Sequence, residues 1–317
     1  MKDAFVPEVN IGKFKDPVKT ADGQARARVA LTNPETLWFN TGTRCNITCL
    51  NCYIESSPKN DRLQYINREE VCDYLDQIDE RKWPIREIAY TGGEPFMNPH
   101  MIGLARDPLA RGFDVLILTN AMKPMMRPIM QEGLRCLRDD FGDKLTLRIS
   151  IDHWSEDLHD TERGKGSFQI MLNGMRWLRD EGFNMAVAGR SIWSENDADA
   201  RKGYQALFDE NGFDIDAFNP GVTVLFPEMD ESVEVPEITT KCWGILDKSP
   251  DEVMCSSSRM VVKRKGAEKP TVLACTLLPY DEEFEMGETL EEAEKPVSLN
   301  HPHCAKFCVL GGASCSA

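Results

Sequence analysis

Three cysteines near the start of the chain have the spacing of a metal-binding loop. Cys45, Cys49 and Cys52 are separated by three and then two residues. Three thiolates on one short loop can hold three corners of a four-iron cluster and leave the fourth iron open to a small molecule. A zinc site would need a fourth ligand nearby, and the next histidine along the chain is His100. The spacing therefore favours an iron–sulfur cluster.

A second group of cysteines lies in the last quarter of the chain. Its members are Cys242, Cys255, Cys275, Cys304, Cys308 and Cys315. Two complete four-iron clusters would need about eight ligands, so one cluster is the simpler interpretation. A zinc ion held by four cysteines needs the same number of ligands, and His301 and His303 keep that alternative open. We predict a second metal site, separate from the first.

The composition excludes several classes of protein. The 317 residues are 41% hydrophobic and 28% charged, which is typical of a soluble globular chain. A net charge of −15 without a basic run argues against a nucleic-acid partner. The start lacks the pattern of a signal peptide, and no apolar run reaches the ~18 residues of a membrane span. We therefore predict a cytoplasmic protein with no membrane partner. Of its eleven cysteines, the clustered ones are predicted to bind metal or carry redox chemistry, and the isolated Cys72 and Cys136 to be packed side chains.

Strands and helices alternate regularly and must position these groups. Asn67 and Glu70 predict a capping box at the start of a helix, and Gly182 predicts the end of the helix containing Phe168 and Met175. This alternation predicts βα units around a parallel sheet, an α/β fold. The predicted strands are 36–40, 87–91, 114–119, 145–151, 185–188 and 222–226.

The pattern changes after residue 226. An acidic segment with proline to about residue 237 is a predicted linker, and 259–263 and 271–274 predict a β-hairpin with its turn at Lys265 and Gly266. Cys255 and Cys275 flank this hairpin. We predict three units, which are an N-terminal arm (1–35), a core (36–230) and a small cluster-binding domain (231–317).

The cysteine loop and the segment after the second predicted strand together resemble the radical S-adenosylmethionine (SAM) superfamily. That family has the same cysteine spacing after the first strand of a partial (β/α)6, TIM-like barrel. The glycine-rich motif that meets the SAM amino group in that family is similar to Thr91-Gly92-Gly93-Glu94-Pro95. Glycines let the backbone approach a ligand, and Glu94 and carbonyl oxygens can accept hydrogen bonds from an ammonium. The resemblance implies Thr91, Gly92, Gly93 and Glu94 as SAM-binding residues.

Further matches to the family lie at the ends of the third and fourth strands. Ser150 and Arg163 occupy the positions that approach the SAM carboxylate and ribose, and arginine pairs well with a carboxylate. Thr119-Asn120 resembles the family's Thr-Asn-Gly turn, with Ala121 in place of glycine, and implies that Asn120 lines the pocket. Arg190, after the fifth strand, is a weaker candidate for the pocket.

The C-terminal cysteines resemble a twitch or abbreviated SPASM domain, which carries an auxiliary iron–sulfur cluster in the same superfamily. The resemblance implies one auxiliary [4Fe–4S] cluster. Cys255 and Cys275 are its implied ligands, completed by two of Cys304, Cys308 and Cys315.

The resemblance also implies the activity. A [4Fe–4S] cluster on Cys45, Cys49 and Cys52 would cleave SAM reductively, with electrons from a donor such as flavodoxin or ferredoxin. The resulting 5′-deoxyadenosyl radical would take a hydrogen atom from the substrate, and no catalytic residue of the chain itself is assigned. The expected reaction is a net oxidation or rearrangement of a small metabolite, because the short N-terminal arm leaves no room for a peptide-recognition domain. Two alternatives remain, a maturase that modifies a ribosomal peptide or protein side chain and a non-catalytic zinc or iron–sulfur protein.

Overall fold

A computed structural model describes residues 12–230 and 233–311. Its central feature is a sheet in which six strands run parallel and follow one another in chain order. A short strand, β1 (Arg28–Val29), precedes them outside this sheet. The six parallel strands are β2 (Thr36–Asn40), β3 (Glu87–Thr91), β4 (Asp114–Thr119), β5 (Leu145–Ser150), β6 (Asn184–Arg190) and β7 (Thr223–Phe226).

The six strands agree with the predicted ones to within a few residues, and the α/β fold class is confirmed. Parallel strands are covered on both faces, so their sequences are apolar throughout rather than alternating. All five residues of β2 are buried, as are four of the five residues of β3. Leu37, Phe39, Ile88 and Tyr90 contribute to the main apolar core on one face, and Trp38 belongs to a smaller cluster on the other.

Helices connect consecutive parallel strands. The predicted capping box is present at the start of α1, where the Asn67 side chain accepts from the Glu70 N–H and the Glu70 carboxylate accepts from the Asn67 N–H. The helices are α1 (Arg68–Arg81), α2 (Met101–Ala110), α3 (Pro128–Phe141), α4 (Glu156–Arg163), α5 (Ser167–Asp180), α6 (Asp197–Asn211) and the short α7 (Cys242–Leu246).

The predicted β-hairpin is confirmed and extends the same sheet. Strand β8 (Ser258–Val262) lies parallel to β2, and β9 (Thr271–Leu273) and β10 (Glu285–Gly287) continue the sheet in antiparallel pairing. The order across the sheet is β10-β9-β8-β2-β3-β4-β5-β6-β7. The hairpin joins the sheet beside β2, with Thr36 opposite Ser258 and Phe39 opposite Val261. The division of the chain at residue 230 stays a prediction.

The N-terminal arm, as far as it is described, packs on the C-terminal part of the chain. Strand β1 pairs antiparallel with β11 (Val297–Ser298), and the buried Arg26 forms an ion pair with Glu237. Near its described end the chain forms a π-helix (Cys304–Leu310), a rare element that often marks functional sites. Within the described residues, no helix combines the length and apolar character needed to cross a membrane.

Candidate active site

A cleft lies at the carboxyl ends of the parallel strands, where loops from neighbouring strands meet. The three cysteines of the first loop line it together with most of the residues predicted to bind SAM. Glu94 stands beside the cleft rather than among its lining residues. The predicted residues that line the cleft are Cys45, Cys49, Cys52, Thr91, Gly92, Gly93, Asn120, Ser150, Arg163 and Arg190.

The glycines after β3 allow two loops to pack closely. A Cβ atom on Gly92, where φ is +140°, would lie 2.6 Å from the Gly42 carbonyl oxygen, and one on Gly93 would lie 2.3 Å from that of Arg44. The Gly93 N–H donates to the Gly42 carbonyl oxygen at 2.8 Å. A side chain at either glycine would push the turn away from the cysteine loop. The two glycines therefore allow the turn after β3 to lie against the cysteine loop, and both also line the cleft.

The Glu94 carboxylate is buried and engaged by the protein. One oxygen accepts from the Thr119 hydroxyl at 2.9 Å and from the Phe96 N–H, and the other accepts from the Asn120 N–H at 2.8 Å. Burial raises the pKa of Glu94 to about 7, although the hydrogen bonds work in the opposite direction. In these contacts Glu94 ties the end of β3 to the end of β4. Its contact with the SAM amino group stays a prediction.

Asn120 connects the end of β4 to the cysteine loop. Its side-chain amide donates to the Asn46 side-chain oxygen at 2.9 Å and lies 3.9 Å from the Cys45 sulfur. Its own side-chain oxygen accepts from the Met122 N–H at 3.0 Å. An amide N–H near a ligand sulfur stabilises negative charge on that sulfur. The described contacts thus place Asn120 beside a predicted cluster ligand.

Arg163 forms a two-point ion pair that the sequence did not indicate. Its Nε and Nη2 donate to the two carboxylate oxygens of Asp152, at 2.7 and 3.0 Å, and the two side chains are 13% and 6% exposed. Burial opposes the charge of Asp152, but the guanidinium outweighs it and holds the pKa of Asp152 below its ordinary value. Asp152 follows the end of β5 by two residues, and the carboxyl ends of the parallel strands meet at the cleft. This position in the chain was the signal that could have identified Asp152 as a site residue.

Glu162 is a second buried carboxylate that the sequence did not single out. It lies on the last turn of α4, and its backbone carbonyl accepts from the Leu50 N–H at 2.8 Å. Its side chain accepts from the Asn51 amide and from Arg190, which also donates to the Asn51 carbonyl oxygen at 3.3 Å. These contacts hold the turn between Cys49 and Cys52. Neither the hydrophobic periodicity nor the spacing of motifs in the sequence marks Glu162 as a site residue.

Two thiols of the first loop resist ionisation, those of the buried Cys45 and the partly buried Cys49. Burial raises the pKa of Cys45 to about 12 and that of Cys49 to about 11. A metal centre reverses this preference, because a coordinating thiol loses its proton outright. Three thiols on one loop, facing one cleft, are the donor set of a four-iron cluster with one open iron. The residues present therefore fit this cofactor.

Four of the C-terminal cysteines line one small apolar cavity. These are Cys255, Cys275, Cys304 and Cys308, and the same cavity is lined by His303. Burial raises the pKa of Cys255 to about 11 and also raises that of Cys304. Four thiols match the ligand requirement of a [4Fe–4S] cluster.

The two remaining C-terminal cysteines are not among the described residues that line this cavity. Cys242, at the start of α7, accepts from the Thr239 N–H at 3.3 Å. Cys315, predicted as a possible ligand, lies outside the described residues. In the described ranges, no group of three or more His, Cys, Asp or Glu side chains is placed to hold a single metal ion.

The cleft and the small cavity share a wall that the sequence did not reveal. Leu277 lines both, and its N–H donates to the Cys275 sulfur at 3.3 Å. Phe307, on the π-helix between Cys304 and Cys308, lines the cleft. Its ring stacks on Phe226 at the end of β7, with 5.6 Å between ring centroids and 25° between planes. Residues next to the C-terminal cysteines thus form part of the active-site cleft.

Comparison with known proteins places the chain in a family. The family model described as "Radical SAM superfamily" matches residues 39–199, which is half of the chain. The chain belongs to the radical SAM superfamily, whose members use a [4Fe–4S] cluster and SAM as cofactors.

Curated relatives match over part of their length. The Bacillus subtilis "antilisterial bacteriocin subtilosin biosynthesis protein AlbA" is 28% identical over 62% of this chain and 43% of that protein. The "AdoMet-dependent heme synthase" of Methanosarcina barkeri is 27% identical over 52% and 46%. The "mycofactocin maturase MftC" of Mycolicibacterium smegmatis is 25% identical over 52% and 40%. The chain thus spans less than half the length of these relatives.

A solved structure supports the fold. Streptococcus suis SuiB bound to the precursor peptide SuiA has a TM-score of 0.59 to this chain at 12% identity, covering 84% of this chain and 66% of SuiB. At this level of identity the likeness concerns the fold alone. It agrees with an α/β structure that has a mostly parallel central sheet.

Proposed function

We propose that this chain is a radical SAM enzyme that modifies a side chain of a peptide or protein. One observation carries the radical SAM part of this assignment. Cys45, Cys49 and Cys52 line the same cleft as the glycine turn after β3 and the ends of β4 and β5. When bound, a [4Fe–4S] cluster and SAM supply abstraction of a hydrogen atom from a substrate C–H bond, and an auxiliary cluster supplies an electron acceptor. The source of electrons we propose is a flavodoxin or ferredoxin.

The chain's own residues bind and orient SAM. We assign the three cysteines as cluster ligands and the backbone of Gly92 and Gly93 as the surface that meets the SAM amino group. Arg163 and Ser150 face the same cleft and would meet the SAM carboxylate and ribose. Because Asp152 already occupies the fork of Arg163, the guanidinium is held in one orientation before SAM binds. Asn120 supports the cysteine loop from the opposite side.

The C-terminal cysteines provide a second cluster site in this proposal. Cys255, Cys275, Cys304 and Cys308 all line one cavity, so we assign these four as the ligands of the auxiliary [4Fe–4S] cluster. A zinc site with four cysteine ligands is the competing assignment. Iron and zinc analysis separates the two.

The peptide alternative has more support than the small-metabolite prediction. The relatives include a protein of bacteriocin biosynthesis and a maturase, and SuiB has a precursor peptide bound. A small-metabolite substrate is favoured by the heme synthase relative. However, both arginines that line the described cleft are paired with carboxylates, Arg163 with Asp152 and Arg190 with Glu162. A polyanionic metabolite would need cations beyond these two, because Arg163 is assigned to the SAM carboxylate and Arg190 already contacts two carboxylates.

The radical SAM assignment is tested with the full chain, reconstituted anaerobically with iron and sulfide. With dithionite and SAM, the wild-type protein should release 5′-deoxyadenosine and methionine slowly without any substrate, measured by liquid chromatography and mass spectrometry. Cys49→Ala should release none, because two thiolates do not secure the cluster. Cys136→Ala is the matched control, since Cys136 is exposed on α3, and it should match the wild type. Equal release by wild type and Cys49→Ala would refute the assignment.

A further inference from the structure

One wall of the active-site cleft is apolar and is built from two distant parts of the chain. Phe226, Pro227 and Met229 come from the end of β7 and the segment after it. Leu277 and Phe307 come from the segments that carry the C-terminal cysteines. Most polar lining residues, by contrast, come from the cysteine loop and the ends of β3 to β6, and one, Thr276, lies beside Leu277.

Phe307 and Leu277 are held by the residues around the cysteine cavity. Phe307 is 2% exposed, stacks on Phe226, and lies between Cys304 and Cys308 on one short helix. That helix is tied to the rest of the chain, since the Lys248 side chain donates to the Val309 carbonyl oxygen at 2.6 Å. The Leu277 N–H donates to the Cys275 sulfur. The apolar wall is therefore built on the same chain segments as the cysteine cavity.

Each charged side chain that lines the cleft is already paired with an opposite charge, although Arg190 lies next to the apolar wall, opposite Phe226 in the pairing of β6 with β7. Arg163 pairs with Asp152, and Arg190 pairs with Glu162 and, at 3.6 Å, with Glu228. A charged substrate group against Phe226, Leu277 and Phe307 would lose its hydration without gaining an unpaired counter-charge. The neighbouring Arg190 already contacts two carboxylates. An aliphatic or aromatic group would instead gain by leaving water.

We propose that the wall formed by Phe226, Met229, Leu277 and Phe307, called here the apolar subsite, binds an aliphatic or aromatic side chain of the substrate. Its shape is set by the segments bearing Cys275, Cys304 and Cys308, so the auxiliary site determines specificity as well as holding a cluster. Phe307 and Phe226 are specificity-determining residues. This assignment deepens the function proposed above and rests on it.

Blocked pentapeptides of the form acetyl-Gly-Gly-X-Gly-Gly-amide test this subsite, with X a deuterated Leu, Phe, Asp or Lys. The readout is deuterium carried into 5′-deoxyadenosine for each SAM cleaved by the reconstituted full chain. The wild type should take deuterium from the Leu or Phe peptide about tenfold or more in preference to the Asp and Lys peptides. Because the preference is a ratio within one protein, changes in overall activity cancel.

Two variants on opposite sides of the stack locate the preference. Phe307→Ala and Phe226→Ala should each lower the ratio severalfold, and Phe307→Leu should restore most of it. Phe218→Ala is the matched control, because Phe218 is 53% exposed and outside the cleft lining, and it should leave the ratio unchanged. Iron content is measured for every variant. If Phe307→Ala loses iron, Phe226→Ala still tests the subsite, because Phe226 is remote in sequence from the cysteines.

The possible failures are distinguishable. Equal transfer from all peptides, a preference for Asp or Lys, no transfer while 5′-deoxyadenosine is released, or an unchanged ratio in both alanine variants would overturn the apolar subsite and leave the radical SAM assignment in place. A wild-type protein with full iron that releases no 5′-deoxyadenosine would overturn the proposed function, and the subsite with it.

Discussion

The side-chain amide of Asn51 donates to both carboxylate oxygens of Glu162, at 3.1 Å each, across 111 residues of sequence. Asn51 stands between two predicted cluster ligands, and Glu162 is 5% exposed at the end of α4. A buried carboxylate with an amide and an arginine as partners is well satisfied. The pair fixes the cysteine loop against the helix that also presents Arg163.

Loss of the Glu162 side chain should weaken cluster retention. In Glu162→Ala, the Asn51 amide and Arg190 lose their buried acceptor, which costs about 1–3 kcal/mol or more. Iron per chain after anaerobic desalting should fall from about eight towards about four. Glu162→Gln, which keeps one acceptor oxygen for Asn51, should fall between. Glu210→Ala, at an exposed position on α6, is the control. Full iron in Glu162→Ala would show that the loop holds its shape without this contact.

Arg163 should affect SAM affinity beyond its effect on stability. Arg163→Ala leaves the Asp152 charge buried and unpaired, which should destabilise the fold by about 3–5 kcal/mol. The double variant Asp152→Asn/Arg163→Gln removes both charges and should recover much of that stability. Both proteins should bind SAM roughly ten- to a hundredfold more weakly than the wild type, because a charge-assisted hydrogen bond contributes about 1.5–3 kcal/mol.

Thermal unfolding and equilibrium dialysis with SAM separate the two effects of Arg163. Arg163→Lys keeps the charge, but an ammonium cannot contact both Asp152 oxygens and also reach SAM as a guanidinium can, so its SAM affinity should lie between wild type and Arg163→Ala. If the double variant regained SAM affinity together with its melting temperature, Arg163 would act only as the partner of Asp152. Arg190 would then be the next residue to test.

Glu94 should give the fold a pH dependence between its ordinary pKa and its raised one. Burial raises the pKa of Glu94 from 4.5 to about 7, so the folded chain retains a proton there that the unfolded chain releases. The free energy of unfolding should therefore decrease as pH rises from about 4.5 to about 7, and this contribution should level off above that.

The variant Glu94→Gln isolates this contribution. This variant should be less stable than the wild type, because the new side-chain NH2 group faces a backbone N–H donor. The decrease in the free energy of unfolding between about pH 4.5 and about pH 7 should be absent from it. Urea unfolding of both proteins under anaerobic conditions, from pH 4.5 to pH 8, measures the difference. Parallel pH profiles for the two proteins would contradict the raised pKa.

The two cluster sites should be separable by substitution. Reconstituted wild type should hold about eight iron and eight sulfide per chain, and replacing Cys45, Cys49 and Cys52 together by Ala should leave about four. Replacing Cys255 and Cys275 together should also leave about four. Stoichiometric zinc in place of the second four irons would establish the zinc alternative.

Single replacements test which C-terminal cysteines are ligands. Cys304→Ala and Cys308→Ala should each lower the iron content, because both residues line the cavity. Cys242→Ala and Cys315→Ala should leave it at about eight, measured colorimetrically and by the electron paramagnetic resonance spectrum of the reduced protein. A loss of iron in Cys315→Ala with no loss in Cys304→Ala would reverse the assignment.

Local features were readable from the sequence because they depend on near neighbours. The runs Glu87–Thr91 and Asp114–Thr119 are apolar stretches bounded by turns, and they form β3 and β4. The capping box of α1 involves two residues three apart. The cysteine spacing and the glycine turn led to the radical SAM superfamily, and the parallel arrangement then brought Ser150 and Arg163 to the cysteine loop, since the carboxyl ends of parallel strands share one edge.

The sequence by itself determined the α/β fold class, the superfamily and the existence of two cysteine sites. Only the tertiary structure decided the partners of the charged groups, since Arg163 and Asp152 or Glu162 and Asn51 meet through packing and not through spacing. It also decided that the C-terminal hairpin joins the main sheet at β2, and that Phe307 reaches the cleft to stack on Phe226. The physical reason is that such contacts join residues from 11 to more than a hundred positions apart, and their approach depends on strand register and helix packing.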